Sequence, residues 1–258
     1  MKNRITELFK KKKKNILSVF YTAGFPAIPD TISIARSLEQ AGADIIEIGI
    51  PFSDPVADGP TIQESNKIAL DNGMTLRLLL EQVKEIRKDI DTPIVLMGYL
   101  NPVMQYGMER FVKDAAAAGV DGMILPDMPL FEFNEQYKEL FKQYNLCNTF
   151  LIAPTTSDER IKEIDAASDG FIYAVSASST TGAKGDFNED QISYFKKLKK
   201  LNLKNPFLIG FGISNRATFS KASAYGSGAI VGSAFINLVR ESKDQEKDIQ
   251  TFVAGLKS

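Results

Sequence analysis

Asp44-Ile45-Ile46-Glu47-Ile48-Gly49-Ile50-Pro51-Phe52 is the stretch on which the fold turns. A continuous β-branched run of this kind suits a parallel strand covered on both faces rather than a half-solvated one. Side chains alternate along a strand, so Ile46, Ile48 and Ile50 share one face, under helices. Glu47 and Gly49 point the other way. Just ahead, Asp30–Ala41 sets Ile32, Ile34, Ala35 and Leu38 along one helical face, and Ala41-Gly42-Ala43-Asp44 turns that helix into the strand.

The same unit repeats in both directions. Further strands are expected at Ile16–Gly24, Pro93–Tyr99, Gly122–Asp127, Cys147–Pro154, Gly170–Ala177, Pro206–Ile213 and Gly228–Phe235. Helical patterns fall between them at Thr75–Ile90, Met108–Ala118, Ser157–Ala167, Asp190–Leu201 and Asn215–Tyr225. Eight strand–helix units in 258 residues indicate a (β/α)8 TIM barrel. A doubly wound sheet is the alternative, but its phosphate fingerprint belongs after the first strand. Gly24-Phe25-Pro26 stands there without the required glycine spacing. With no linker or low-complexity break, residues 1–258 are expected to form a single domain. Extra helices are expected at the N-terminus (ending in Lys10–Lys14), after strand 2 (Thr61–Asp71) and after strand 8 (to about Leu238). The connections Ser53–Pro60 and Ser176–Asp186 are longer than a barrel needs. Both leave the C-terminal strand ends, where lids or plain surface insertions are found.

Composition narrows the chemistry. Lys and Arg number 31 against 32 Asp and Glu, so there is no basic field for nucleic acid. The single cysteine, Cys147, excludes a disulfide framework and cysteine-based zinc sites. Histidine is absent, which removes Ser-His and Cys-His pairs, a histidine base and histidine-ligated metals. No run approaches the ~20 apolar residues of a membrane helix. Lys10–Lys14 before Ile16–Tyr21 imitates a signal peptide, but Glu7, Ser18 and Thr22 break the pattern, and a cytoplasmic protein is expected.

Strand 7 leaves as Gly210-Phe211-Gly212-Ile213-Ser214, and strand 8 as Gly232-Ser233-Ala234 into a short helix. Barrels commonly hold phosphate at this paired position, on backbone amides and a helix N-terminus. Gly182, in the strand-6 loop, offers a third amide. A carboxylate in a barrel lumen, as Glu47 would be, costs several kcal/mol unless paired or protonated. No lysine or arginine lies within the expected strands to pair with it, or to form a Schiff base. Acid–base chemistry is left to Glu47, Asp58, Asp127 and Tyr173. Tyr173 reads equally as a core aromatic, and Asp127 as a cap of the following helix. Carbon–carbon cleavage without imine or metal needs a substrate that supplies its own electron sink.

The run Ile46–Gln63, with Pro51-Phe52-Ser53-Asp54-Pro55-Val56-Ala57-Asp58-Gly59-Pro60 at its centre, closely resembles the signature of the tryptophan synthase alpha family. Phe20-Tyr21-Thr22-Ala23-Gly24, Tyr99-Leu100-Asn101-Pro102, Pro126-Asp127-Met128-Pro129, Gly210–Ser214 and Gly232-Ser233-Ala234 fall in family order across nearly the whole chain. The resemblance implies cleavage of indole-3-glycerol phosphate to indole and glyceraldehyde 3-phosphate, a substrate whose protonated ring is the sink. It assigns proton transfer to Glu47, the indole N–H to Asp58, and a place lining the site to Tyr173. It further implies phosphate binding at Gly182, Gly212, Gly232 and Ser233 with Phe211 among them, a loop role for Thr181, and Phe20, Leu100 and Ile124 beside the indole. It implies no cofactor in this chain. The partner is the pyridoxal-phosphate beta subunit, in an alpha-beta-beta-alpha assembly, with Asp54-Pro55, Asn101-Pro102 and Pro129 in the contact regions. The family's usual arginine and glycine are replaced at Ala177 and Ser179, and a common aspartate at Phe25. The altered loop leaves open a rival, a barrel kept only as an allosteric binding subunit.

Overall fold

The computed structural model describes residues 3–55, 57–176 and 187–257. Eight parallel strands close a barrel: β1 (Ile16–Thr22), β2 (Ile45–Gly49), β3 (Ile94–Met97), β4 (Gly122–Ile124), β5 in two pieces (Cys147–Thr149 and Leu151–Ile152), β6 (Ile172–Val175), β7 (Phe207–Gly210) and β8 (Gly228–Val231). Closure runs through the break in β5. Its first piece pairs with β4 and its second with β6, and at the break the Phe150 carbonyl accepts from the Tyr173 N–H at 3.0 Å. At the β8–β1 seam the backbones approach so closely that a Cβ on Gly228 would lie 1.9 Å from the Ile16 carbonyl oxygen, so only glycine fits.

The helices form the outer ring: α1 (Arg4–Lys11), α2 (Asp30–Ala41), α3 (Pro60–Asp71), α4 (Leu76–Ile86), α5 (Leu100–Tyr106), α6 (Met108–Ala118), α7 (Leu130–Glu132), α8 (Lys138–Gln143), α9 (Asp158–Ala167), α10 (Glu189–Lys200), α11 (Arg216–Tyr225), α12 (Ser233–Glu241) and α13 (Gln245–Lys257). Local chemistry marks their ends. Thr75, Ser157, Asn188 and Asn215 cap N-termini with side-chain oxygens, and Gly42 and Gly119 close α2 and α6 in the left-handed region. No helix among the described residues is long and apolar enough to cross a membrane.

The structure adds helices that the sequence expectation lacked, the last of them α13 at the C-terminal end. α5 is an added helix after β3, and a π-helical turn (Phe133–Tyr137) joins α7 to α8. The π turn slips the helical phase, which erases the period that a sequence pattern relies on. α12 also runs on to Glu241, past Leu238.

Strand alternation sorts the core into two layers. Ile46, Ile48 and Ile50 pack outward with the helices, as expected. Inside, Ile16, Ile45, Val95, Ile124, Cys147, Phe171, Tyr173, Val175, Leu208 and Ile230 fill the lumen. α1 stoppers its N-terminal end with Ile5 and Phe9, the latter 5.9 Å from the Phe171 ring. Asn3 pins that helix, accepting from the Ile5 N–H and donating to the Asp121 and Asn145 carbonyls at 2.7 and 2.8 Å. The lysine run past it is partly tied down: Lys12 meets Asp44 at 2.7 Å and Lys14 donates to the Gly226 carbonyl at 2.8 Å.

Candidate active site

With one end stoppered, the lumen opens at the C-terminal strand ends. Glu47 faces it from β2 and is fully buried. The register sets Glu47 beside Phe20 of β1, so Ser18 lies one lumen layer nearer the stopper. From there its hydroxyl donates to Glu47 Oε1 at 2.6 Å. Oε2 is buried with no hydrogen-bond partner among the described residues. Burial pushes the Glu47 carboxyl up to about 7, against the opposing pull of the Ser18 hydrogen bond.

Tyr173, on β6, stands where the charges of both Glu47 and Asp58 reach it. Burial first, and then those carboxylates, hold its phenol well above the ordinary range. Its ring lies over Gly210, where a Cβ would come within 2.2 Å of it. Phe211 packs edge-on against that ring at 6.2 Å. Phe211 and Gly212 are both left-handed, at φ +68° and +75°. For a phenylalanine this conformation costs of order 1 kcal/mol, and Ser176 braces it by donating to the Phe211 carbonyl at 2.7 Å.

Asp58 lies just before α3, half-buried, and desolvation raises its carboxyl. Tyr99 reaches it from the end of β3. The phenol accepts from the Ala57 N–H at 3.0 Å and hydrogen-bonds the Asp58 side chain, which pulls the carboxyl back down. Burial pushes the Tyr99 phenol up to about 12. Asp127 does not cap the helix that follows it. Its carboxylate accepts from the Leu100 N–H at 2.8 and 3.1 Å, holding the start of α5 from the neighbouring strand.

Opposite, Gly232 caps the N-terminus of α12, which begins at Ser233 and has no side-chain cap. The first amides of a helix lack intrahelical partners and carry partial positive charge. Phe20 bridges the two halves of the site. Its ring occupies the space a Cβ on Gly49 would need, 2.6 Å away, and lies 3.7 Å from the Cβ position of Gly232.

The barrel thus brings together Glu47, Asp58, Tyr173, Phe20, Ile124, Phe211, Gly212, Gly232 and Ser233 at one mouth. Leu100 opens α5 at the same mouth, its N–H held by Asp127, and packs partly buried against the cluster that also holds Phe20; Met97, three residues earlier, packs against both clusters and reaches the lumen. Alternation along β3 could have signalled Met97, which shares the face of Val95. Tyr99 stood in a quoted motif without a role, and Ser18 carried no local signal. Thr181, Gly182 and the Ala177–Thr180 stretch lie outside the described residues.

A parallel barrel with a desolvated carboxyl in its lumen and a helix N-terminus across the mouth defines a class: barrel enzymes that work on phosphorylated substrates by acid–base chemistry. The chain belongs to the tryptophan synthase alpha chain family, whose model matches residues 6–257. It is 51% identical to the tryptophan synthase alpha chain of Parabacteroides distasonis, over 99% of each chain. It is 49% identical to that of Bacteroides thetaiotaomicron, over 99% of this chain and 100% of the other. The solved structure of tryptophan synthase subunit alpha from Legionella pneumophila superposes with a TM-score of 0.90 at 33% identity, covering 100% of this chain and 98% of that one. The protein is accordingly a carbon–carbon lyase of tryptophan biosynthesis that acts with a beta subunit.

Proposed function

We propose that Glu47 carries both proton transfers in the cleavage of indole-3-glycerol phosphate. Its carboxyl gives a proton to C3 of the indole, which leaves the ring short of electrons. Its carboxylate then takes the proton of the side-chain hydroxyl on the adjacent carbon. As that C–O becomes C=O, the carbon–carbon bond breaks and its electrons return to the ring. One proton is given and one taken, so Glu47 ends as it began. Asp58 accepts the indole N–H and stabilises the ring cation. Tyr173, Phe20, Leu100 and Ile124 line the ring's place, with Met97 beside them in the lumen. Gly212, Gly232 and Ser233 hold the phosphate, joined by Gly182.

The observation that carries this reading is the Glu47 carboxyl, fully buried with one oxygen held by Ser18 and the other without a partner among the described residues; burial pushes it up to about 7. Glu47→Gln is expected to lower turnover by roughly 10²–10⁴ while binding of glycerol phosphate persists. Indole release, measured with and without the beta subunit, reads the result; activity within a few-fold of the parent overturns the assignment.

The reaction needs no cofactor here, and pyridoxal phosphate belongs to the beta partner. An alpha-beta-beta-alpha assembly in the cytoplasm completes the proposal, with residues 1–258 working as one domain. The docking face is the rim around Asp54-Pro55, Asn101-Pro102 and Pro129. Phe131 and Met104 are 71% and 50% exposed there, the large hydrophobics left open among the described residues.

A further inference from the structure

We propose that Ser18 is a positioning residue for the lyase reaction: its hydroxyl turns the Glu47 carboxyl so that Oε2 is the oxygen presented to substrate. The inference rests on the role given to Glu47 above. Ser18 is fully buried, and its register partners on either side are Ile45 and Ile230. A hydroxyl in so apolar a layer costs free energy unless it is hydrogen-bonded. The bond it makes is to Glu47 Oε1 at 2.6 Å, the length of a charge-assisted O–H···O⁻ contact.

That bond restrains an otherwise free carboxyl. Rotation about the Glu47 side chain would spread both oxygens over many directions, and reacting groups must be held within a fraction of an ångström. With Oε1 held toward the stopper, Oε2 is left without a partner among the described residues. β1 presents Ser18 and Phe20 to Glu47, and β3 presents Val95 and Met97, none of them charged. From β6 comes Tyr173, and from the β2 loop Asp58, whose charge also reaches Tyr173. No cation among the described residues contributes to the Glu47 titration. Among the described residues Ser18 is therefore the neighbour that favours the ionised carboxyl against burial.

The test compares Ser18→Ala and Ser18→Thr in the full chain with its beta subunit. For Ser18→Ala, kcat for indole release is expected to fall about tenfold or more with KM within two-fold. The limb of the pH profile that reports Glu47 should move upward by about one pH unit, because the lost donor favoured the charged form. Ser18→Thr, which keeps the hydroxyl, should recover most of kcat. Carbon-13 NMR titration of the Glu47 carboxyl in the alpha chain reads the same shift without activity. An unmoved profile and titration in Ser18→Ala overturn the proposal, as does a uniform loss at every pH alongside lowered thermal stability. If Glu47→Gln stays active, the role given to Glu47 fails instead, and the NMR shift still judges the Ser18–Glu47 bond on its own.

Discussion

At the scale of single residues, Glu47 is costly to the fold. Its carboxyl titrates at about 7 in the folded protein against an ordinary value of 4.5. Between these pH values the folded state binds more protons than the unfolded state, so stability falls as pH rises through that window and levels off above it. Glu47→Gln removes the titration and keeps an oxygen for Ser18. The variant is expected to be the more stable at pH 8, by at most about 3.5 kcal/mol at 1.36 kcal/mol per pH unit, with the gap closing below about pH 4.5. Urea denaturation at the two pH values checks this; an equal gap at both refutes the burial account. The direction is that of an active site held at the expense of stability. Phe211, braced in a left-handed conformation by Ser176, is a second such cost at the same mouth.

At the scale of elements, the two ends of the barrel divide the labour. α1 serves stability: Ile5 enters the lumen so closely that a Cβ on Gly122 or Gly170 would lie 2.8 Å from it. Ile5→Ala should therefore cost about 2–5 kcal/mol, the range for a buried aliphatic truncation that leaves a cavity. Chemical denaturation measures it, and a loss below about 1 kcal/mol would mean that α1 does not stopper the barrel. At the other end, α3, α5 and α12 begin at the mouth, and each start is tied to a candidate site group. Tyr99 links the turn before α3 to β3, Asp127 links α5 to β4, and Gly232 opens α12 beside Phe20. Most of these elements were legible in local pattern. Asp30–Ala41 and Met108–Ala118 fall where their periodicity put them, and Ser157 and Asn215 became caps of the helices expected there. α5 and the α7–α8 pair were not legible, since one is short and the other loses its period at the π turn.

At the scale of the whole molecule, the open rim is where a partner would cover apolar surface. Phe131 stands out at the start of α7, and Met104 of α5 lies 4.0 Å from the Tyr137 hydroxyl across the same rim. Phe131→Asp is expected to weaken beta-subunit binding by about tenfold or more, since burying an unpaired carboxylate in an apolar contact is strongly unfavourable. Titration calorimetry against the beta subunit reads it. Unchanged affinity would move the docking face elsewhere.

The amino-acid sequence alone determined the repeating strand–helix order, the lumen face of Glu47, the glycine-rich turns after β7 and β8, and the exclusion of histidine chemistry. These follow from alternation, helical period and composition, all local properties. Tertiary structure alone decided which groups meet: Ser18 with Glu47, Tyr99 with Asp58, and Asp127 with the start of α5. Alternation says which face a side chain takes, but its level in the barrel depends on the stagger between strands. That stagger is set only when all eight strands close on one another, so partners distant in the chain are not readable from either segment alone.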